Sequence, residues 1–388
     1  MGKSNIKNSH LMYVDQLTWL RGFAALFVIV SHSNRATDVK YLSEDQISDL
    51  YLYSLFDMGS FGVVLFFVLS GCTLYISNAN KVSNYAEIKQ FYVKRFFRIW
   101  PAFVVSLVFY MLFSLVFAYF YIEPQGHWIE KQFLTEYSVK DVLAYVTLTF
   151  NVTGPSGLFN NAYWSLPVEF QYYLIFPLII LALNRTGVIG PVLIGMILFV
   201  FSKVNVFGFD KDSVFALAYS FCGGVLIGYF YLNLKFRLNQ WLSYFLLLLI
   251  VFIVSAISHG DIALPDIPLL SDKRNWFVFF GLAATFIVLF SCFNINKKVE
   301  SILKYYGTIS YSTYLYHNLL IAVAVLGLIH LEIHDSHARF LIVFFFAFIS
   351  SYLVAAVSYK YIELPSIKIG RSILKKTVID SDSFRSAR

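Results

Sequence analysis

The chain has 388 residues, 58% of them hydrophobic and only 14% charged, where an ordinary soluble domain carries roughly 25% charged residues. With a mean hydropathy of +0.66, this composition excludes a soluble globular fold and predicts an all-α polytopic integral membrane protein. The net charge of +7 follows from basic cytoplasmic loops and requires no nucleic-acid partner.

A hydrocarbon core about 30 Å thick needs around 20 apolar residues per helix. That window predicts about ten transmembrane helices, at 14–34, 53–77, 101–122, 163–183, 187–203, 213–233, 241–257, 275–293, 306–330 and 339–362. Lys3 and Lys7 precede the first. Because that run contains Arg21 and lacks a small-residue cleavage site, it reads as a retained span rather than a removed signal peptide. With the N-terminus inside, 20 of the 30 Lys and Arg residues fall in cytoplasmic segments and nine in the opposite loops. This asymmetry favours an even number of spans with both termini cytoplasmic. A transmembrane domain over 10–365 is therefore followed by a short, flexible cytoplasmic tail at 366–388.

The longest external loop is predicted at 123–162. Its stretch SVKDVLAYVTLTF reads either as an amphipathic helix covering a cavity or as a plain connector. Cys72, Cys222 and Cys292 lie in apolar runs with neither paired nor metal-ligand spacing, and read as small buried hydrophobes.

Polar residues inside these spans are the candidates for function. Arg21 and His32 are 11 residues apart; at 100° per residue they share a helix face, separated by roughly 16 Å along the axis. They suggest a polar lane rising from the cytoplasmic side, with His32 deeper and able to act as a general base. The plainer alternative is a snorkelling Arg and a satisfied core histidine. FFVLSG, 66–71, places Ser70 and Gly71 in the second span, as packing residues or as part of that lane. In FYVKRFFRIWP, Lys94, Arg95 and Arg98 either anchor the helix or bind phosphate.

WSLPVEFQYYLIFP opens with Trp164 and Ser165 and carries Glu169 one turn in, where a carboxylate needs a partner. GTISYSTYLYH puts Ser310, Tyr311, Ser312, Thr313, Tyr314 and His317 on one helix, lining a polar cavity or satisfying backbone carbonyls. YIELP sets Glu363 before Pro365 at the last exit. His330, His334 and His337, with Glu332 and Asp335, would align as a metal site if helical, but the segment reads as an external turn, so no metal is expected. Zinc, nucleotide and GxSxG signatures are missing from the sequence.

In this order, LRGFAALFVIVSH, FFVLSG, KRFFRIWP, WSLPVEFQYYLIFP, ISYSTYLYH and YIELP resemble the acyltransferase-3 family of membrane acyltransferases, over about 14–365. The resemblance implies transfer of an acyl group, most often acetyl, from cytoplasmic acyl-CoA to a hydroxyl of a surface polysaccharide or lipid-linked glycan. It also implies a bacterial cytoplasmic (inner) membrane location, acetyl-CoA as cosubstrate and no bound cofactor. His32 would be the catalytic histidine and Arg21 its required partner. Lys94, Arg95 and Arg98 would handle the donor, with Trp164, Ser165, Glu169, Ser310, Tyr311, His317 and Glu363 binding substrate or supporting the site.

Two positions depart from the family pattern: Thr18 stands where many members are acidic, and Phe170 where some have a second Glu. Asp15 and a two-carboxylate scheme therefore stay open. Some members carry an appended hydrolase-like domain; here the core either completes the reaction or hands over to a separate protein. A transporter or flippase of a polar or glycolipid solute is the main alternative, and a structural partner in glycan assembly a third.

Overall fold

Lipid offers the backbone no hydrogen bonds, so apolar runs satisfy their own N–H and C=O groups as helices. The computed structural model describes residues 2–36, 58–78, 82–121, 129–155, 157–204, 214–215, 217–260, 262, 264–265, 271–333 and 335–386. Helix α1 spans Gly2–Ala36, α2 Gly59–Asn78 and α3 Tyr85–Phe120. Three short helices follow: α4 (Glu130–Phe133), α5 (Val139–Val146) and α6 (Phe150–Thr153). A 3-10 turn, Asn161–Trp164, leads directly into α7, Ser165–Thr186. Then come α8 (Ile189–Val204), α9 (Ala218–Asn233), α10 (Gln240–His259), α11 (Lys273–Phe290) and α12 (Lys297–Thr308). Helices α13 (Ser310–His330) and α14 (Ser336–Ser358) are followed by a π-helical turn, Tyr359–Glu363, and α15, Leu364–Ser386.

Each predicted span contains a helix. By length and composition, seven helices among the described residues can cross a membrane. Helices α8 and α9, at 16 residues each, reach only about 24 Å, and the apolar run of α1 carries Asp15, Gln16 and Arg21. In α2, 78% of the apolar window is buried against other helices, compared with 22% in α10. Helix α2 is therefore central, α10 peripheral, and α13, at 67%, also lies inside.

Two expectations change. The segment read as an external loop instead folds back along α3. Phe133 stacks on Tyr110 and Phe117 with ring centroids 5.6 and 5.0 Å away. Trp100 Nε1 donates to the Val146 carbonyl at 2.7 Å, and Asn151 exchanges hydrogen bonds with Gln171 of α7. Trp100 lies roughly 30 Å before the end of α3, so α5 and α6 sit deep beside the bundle. The cause is aromatic burial: Phe133, Tyr145, Phe150 and Phe159 are each 5% exposed or less and need a protein surface to cover them. Within this segment α5 is amphipathic, the first of the two readings, and is opened by a capping box between Ser138 and Asp141.

The second change is at the C-terminal end, where the predicted flexible tail continues as α15. Pro365 directly follows the π-helical turn within a continuous helix, where its missing N–H leaves a carbonyl of the preceding turn without an intrahelical donor, and Gly370 lies against the Phe97 ring of α3.

One tight crossing brings α2 against α9. A Cβ on Gly71 would lie 2.2 Å from the Phe221 carbonyl oxygen, and one on Gly224 would lie 2.1 Å from that of Val68. The two glycines let the backbones touch, the usual device of helix pairs in lipid. Gly224→Ala should lower stability by roughly 1–3 kcal/mol through overpacking, seen as a reduced unfolding midpoint in detergent. An unchanged midpoint would contradict so close a crossing.

Candidate functional site

Helices α1, α2, α3, α7 and α13 enclose a cavity of about 80 Å³, room for several waters. Its lining includes Arg21, Arg95, Arg98, Glu169, Ser165, Ser310, Tyr311 and Tyr314. Arg95 and Arg98, three residues apart on α3, face the same way, and Arg21 meets them from α1.

Three guanidinium groups face two carboxylates here. Arg98 pairs with Glu363 at 2.8 Å, and the fully buried Glu363 also accepts from Ser312 Oγ at 3.1 Å. The π-helical turn ends at Glu363; such insertions often re-aim a functional side chain. Glu169 accepts from Ser70 Oγ at 3.0 Å and from the Tyr173 hydroxyl. Arg95 lies over the rings of Phe91 and Tyr173, 5.7 and 5.9 Å from their centroids. Among the described residues its buried Nε has no hydrogen-bond partner. Arg21 Nη2 donates to Thr73 Oγ1 at 2.8 Å. The cavity thus holds an excess of positive charge with donor capacity to spare, the electrostatics of an anion site.

The cavity stops at a Ser165–Tyr314 contact. The two hydroxyls are 2.8 Å apart, and Tyr314 donates to the Ala162 carbonyl at 2.6 Å. Behind this contact is a buried histidine pair. His32 Nδ1 lies 2.8 Å from His317 Nε2 and 2.8 Å from Asn318 Oδ1, with the imidazole rings stacked at 5.0 Å. His317 Nδ1 is 2.9 Å from the Tyr314 carbonyl. Asn318 Nδ2 donates to Asn160 Oδ1 at 2.8 Å and to Gln132 Oε1 at 3.3 Å.

The predicted residues therefore fall into two groups joined by α13. Arg21, Arg95, Arg98, Ser165, Glu169, Ser310 and Tyr311 line the cavity, with Glu363 behind Arg98. His32 and His317 form the deeper pair, outside the cavity wall, so Arg21 and His32 share α1 without sharing one open lane. Lys94 is exposed and does not line the cavity; it diverges by about 100° from its neighbour Arg95. Trp164 packs its ring edge-on to Phe67, centroids 6.3 Å apart, and also lies outside the lining. Asp15 pairs with Lys304 at 2.7 Å. Of the histidine-rich turn, His334 lies outside the described residues and His330 Nδ1 bonds the Leu326 carbonyl.

Sequence reasoning missed Tyr173, Asn318, Asn160 and Gln132. Asn318 carried a signal, since it follows His317 within an apolar helix. Asn160 and Gln132 had none, because both come from the segment read as external.

Comparisons with known proteins give the family. A family model described as an acyltransferase domain matches residues 14–358. The chain belongs to the acyltransferase-3 family. The match reaches from α1 to the end of α14, so both groups of site residues except Glu363 lie inside it. The chain is 32% identical over 167 residues to the acyltransferase MdmB of Streptomyces mycarofaciens, covering 42% of this chain and 38% of that protein. It is 23% identical over 426 aligned positions to a Staphylococcus aureus protein named provisionally as an O-acetyltransferase, covering 95% of this chain and 59% of that one. The chain thus spans less than two thirds of the length of these curated relatives. No solved structure matches it.

Removing one partner of a buried ion pair strands the other charge. The Arg98 side chain is 32% exposed, which screens part of the loss. Glu363→Gln should therefore cost about 1–3 kcal/mol, below the range for a fully buried pair, and lower the thermal unfolding midpoint. Arg98→Gln combined with Glu363→Gln should recover part of that loss.

Proposed function

We propose that the protein is a membrane O-acyltransferase, with both termini cytoplasmic, that moves an acyl group from acyl-CoA to a carbohydrate hydroxyl. Acetyl is the preferred group, and a surface polysaccharide or lipid-linked glycan the preferred acceptor. The observation that carries this reading is the pairing of an arginine-lined cavity with a buried histidine pair one contact deeper. A donor with a phosphorylated head and a long uncharged arm ending in a thioester matches that sequence of environments.

In this reading Arg21 and Arg95 hold the anionic head of acyl-CoA, and the unpartnered Arg95 Nε donates to one of its oxygens. Arg98 is held ready by Glu363. The pantetheine arm reaches His32 when the Ser165–Tyr314 hydrogen bond opens. A ring nitrogen of His32 then takes the proton of the acceptor hydroxyl as its oxygen attacks the thioester carbonyl. The C–S bond breaks, the CoA thiolate leaves, and the imidazolium returns the proton to give the free thiol. The names of the relatives support the acyltransfer step; the acceptor class rests on the family resemblance.

Thiol release from acetyl-CoA by the protein in nanodiscs, with a glycan acceptor, tests the proposal. His32→Ala should reduce turnover at least about 100-fold, the usual contribution of a general base. Arg95→Gln should raise KM for acetyl-CoA about 10-fold with a smaller effect on kcat, as expected for lost donor binding. A transporter would leave the thioester intact in every variant, and that result would overturn the proposal.

A further inference from the structure

We infer that the Asn160–Asn318 amide chain and His317 together fix His32 as the tautomer protonated on Nδ1, which leaves the lone pair on Nε2 as the base. This rests on the acyltransferase reading for its catalytic meaning, but the tautomer follows from hydrogen-bond partners alone. Imidazole and amide orientations are assigned by tracing each bond back to a backbone group whose role is fixed.

The first trace starts at the chain segment before α7. The Ala162 N–H must donate, and it meets Asn160 Oδ1 at 2.9 Å. The Leu315 carbonyl must accept, and it meets Asn160 Nδ2 at 3.1 Å. Both ends of the Asn160 amide are thus set by backbone. Asn160 Oδ1 can only accept, so the Asn318 atom 2.8 Å from it is Nδ2. Gln132 confirms this orientation. Its Oε1 accepts from the Asn161 N–H at 3.0 Å and takes the second Asn318 Nδ2 proton at 3.3 Å. Asn318 therefore presents its oxygen to His32 Nδ1, and Nδ1 must carry a proton.

The second trace is independent and starts on α13. The Tyr314 carbonyl accepts from His317 Nδ1 at 2.9 Å. Neutral His317 then has its lone pair on Nε2, which lies 2.8 Å from His32 Nδ1. Again His32 Nδ1 must be the donor. The opposite tautomer would bring the His32 Nδ1 lone pair against a second lone pair and an amide oxygen, all buried, with no proton among them. With Nδ1 protonated, a neutral His32 ring carries its lone pair on Nε2, the atom that would receive the hydroxyl proton. Asn318, Asn160 and His317 are positioning residues, the last two held by backbone, and the acceptors behind Nδ1 are neutral rather than carboxylate.

Solid-state 15N NMR of histidine-labelled protein in lipid bilayers tests this directly, with the His32 signal assigned by its loss in His32→Asn. The wild-type spectrum should show a protonated Nδ1 and an unprotonated Nε2 for His32; a proton on Nε2 would overturn the inference whatever the activity. Asn318→Leu should shift population toward the Nε2-protonated form and lower kcat about 100-fold with KM for the donor little changed. Asn318→Asp, whose acid form keeps a carbonyl toward His32 and a hydroxyl toward Asn160, should restore the Nδ1-protonated signal and part of kcat. If the spectra follow this pattern while no variant, nor the wild type, cleaves a thioester, the functional reading fails and the tautomer assignment stands. If Asn318→Leu loses turnover with an unaltered His32 spectrum, the positioning role is overturned.

Discussion

Guanidinium groups inside a helix bundle must be compensated, because the surrounding hydrocarbon offers them neither water nor counter-ions. The arrangement of the central helices answers that demand. Arg98 is matched by Glu363, delivered by a π-helical turn at the end of the last predicted span. Glu169, held by Ser70 and Tyr173, faces Arg21 and Arg95 across the same cavity. Two carboxylates against three guanidinium groups leave an imbalance that an anionic ligand would cancel. Structural pairing alone would have used one acid per base, so the uncompensated charge is the part of the site that points beyond folding.

The cavity and the histidine pair are distinct environments. The first is charged and lined by five helices; the second is buried and built from amide and imidazole groups. Tyr314 belongs to both, with its hydroxyl at the cavity end and its carbonyl on His317. A single turn of α13 thereby couples what happens in the cavity to the orientation of the histidines. That placement separates the group that would hold a charged donor from the group that would move a proton.

The segment between α3 and α7 contributes more than its polar, glycine-containing sequence suggests. Its aromatic residues dock on α3 while Gln132 and Asn160 accept from Asn318, which bonds His32. Irregular backbone at this depth is tolerated because it is covered by protein and its polar groups are satisfied there.

Much was legible in the sequence by itself. Hydropathy gave the helical membrane class and a helix in each predicted span, because lipid permits little else. The positions of Arg21, Arg95, Arg98, Glu169, Ser310, Tyr311 and His32 stood out because charge and hydroxyls are costly in apolar runs, and the family resemblance followed from their order. The tertiary structure alone decided which of them meet. That His32 finds His317 and Asn318, that Glu363 finds Arg98, and that Lys94 and Trp164 stay outside the cavity depend on helix rotation and crossing, to which periodicity is blind. The fold-back of the segment after α3 was equally hidden, since a run of loop residues looks the same whether it faces water or packs against a helix. Its direction was set by aromatic surfaces that exist only once the bundle has formed.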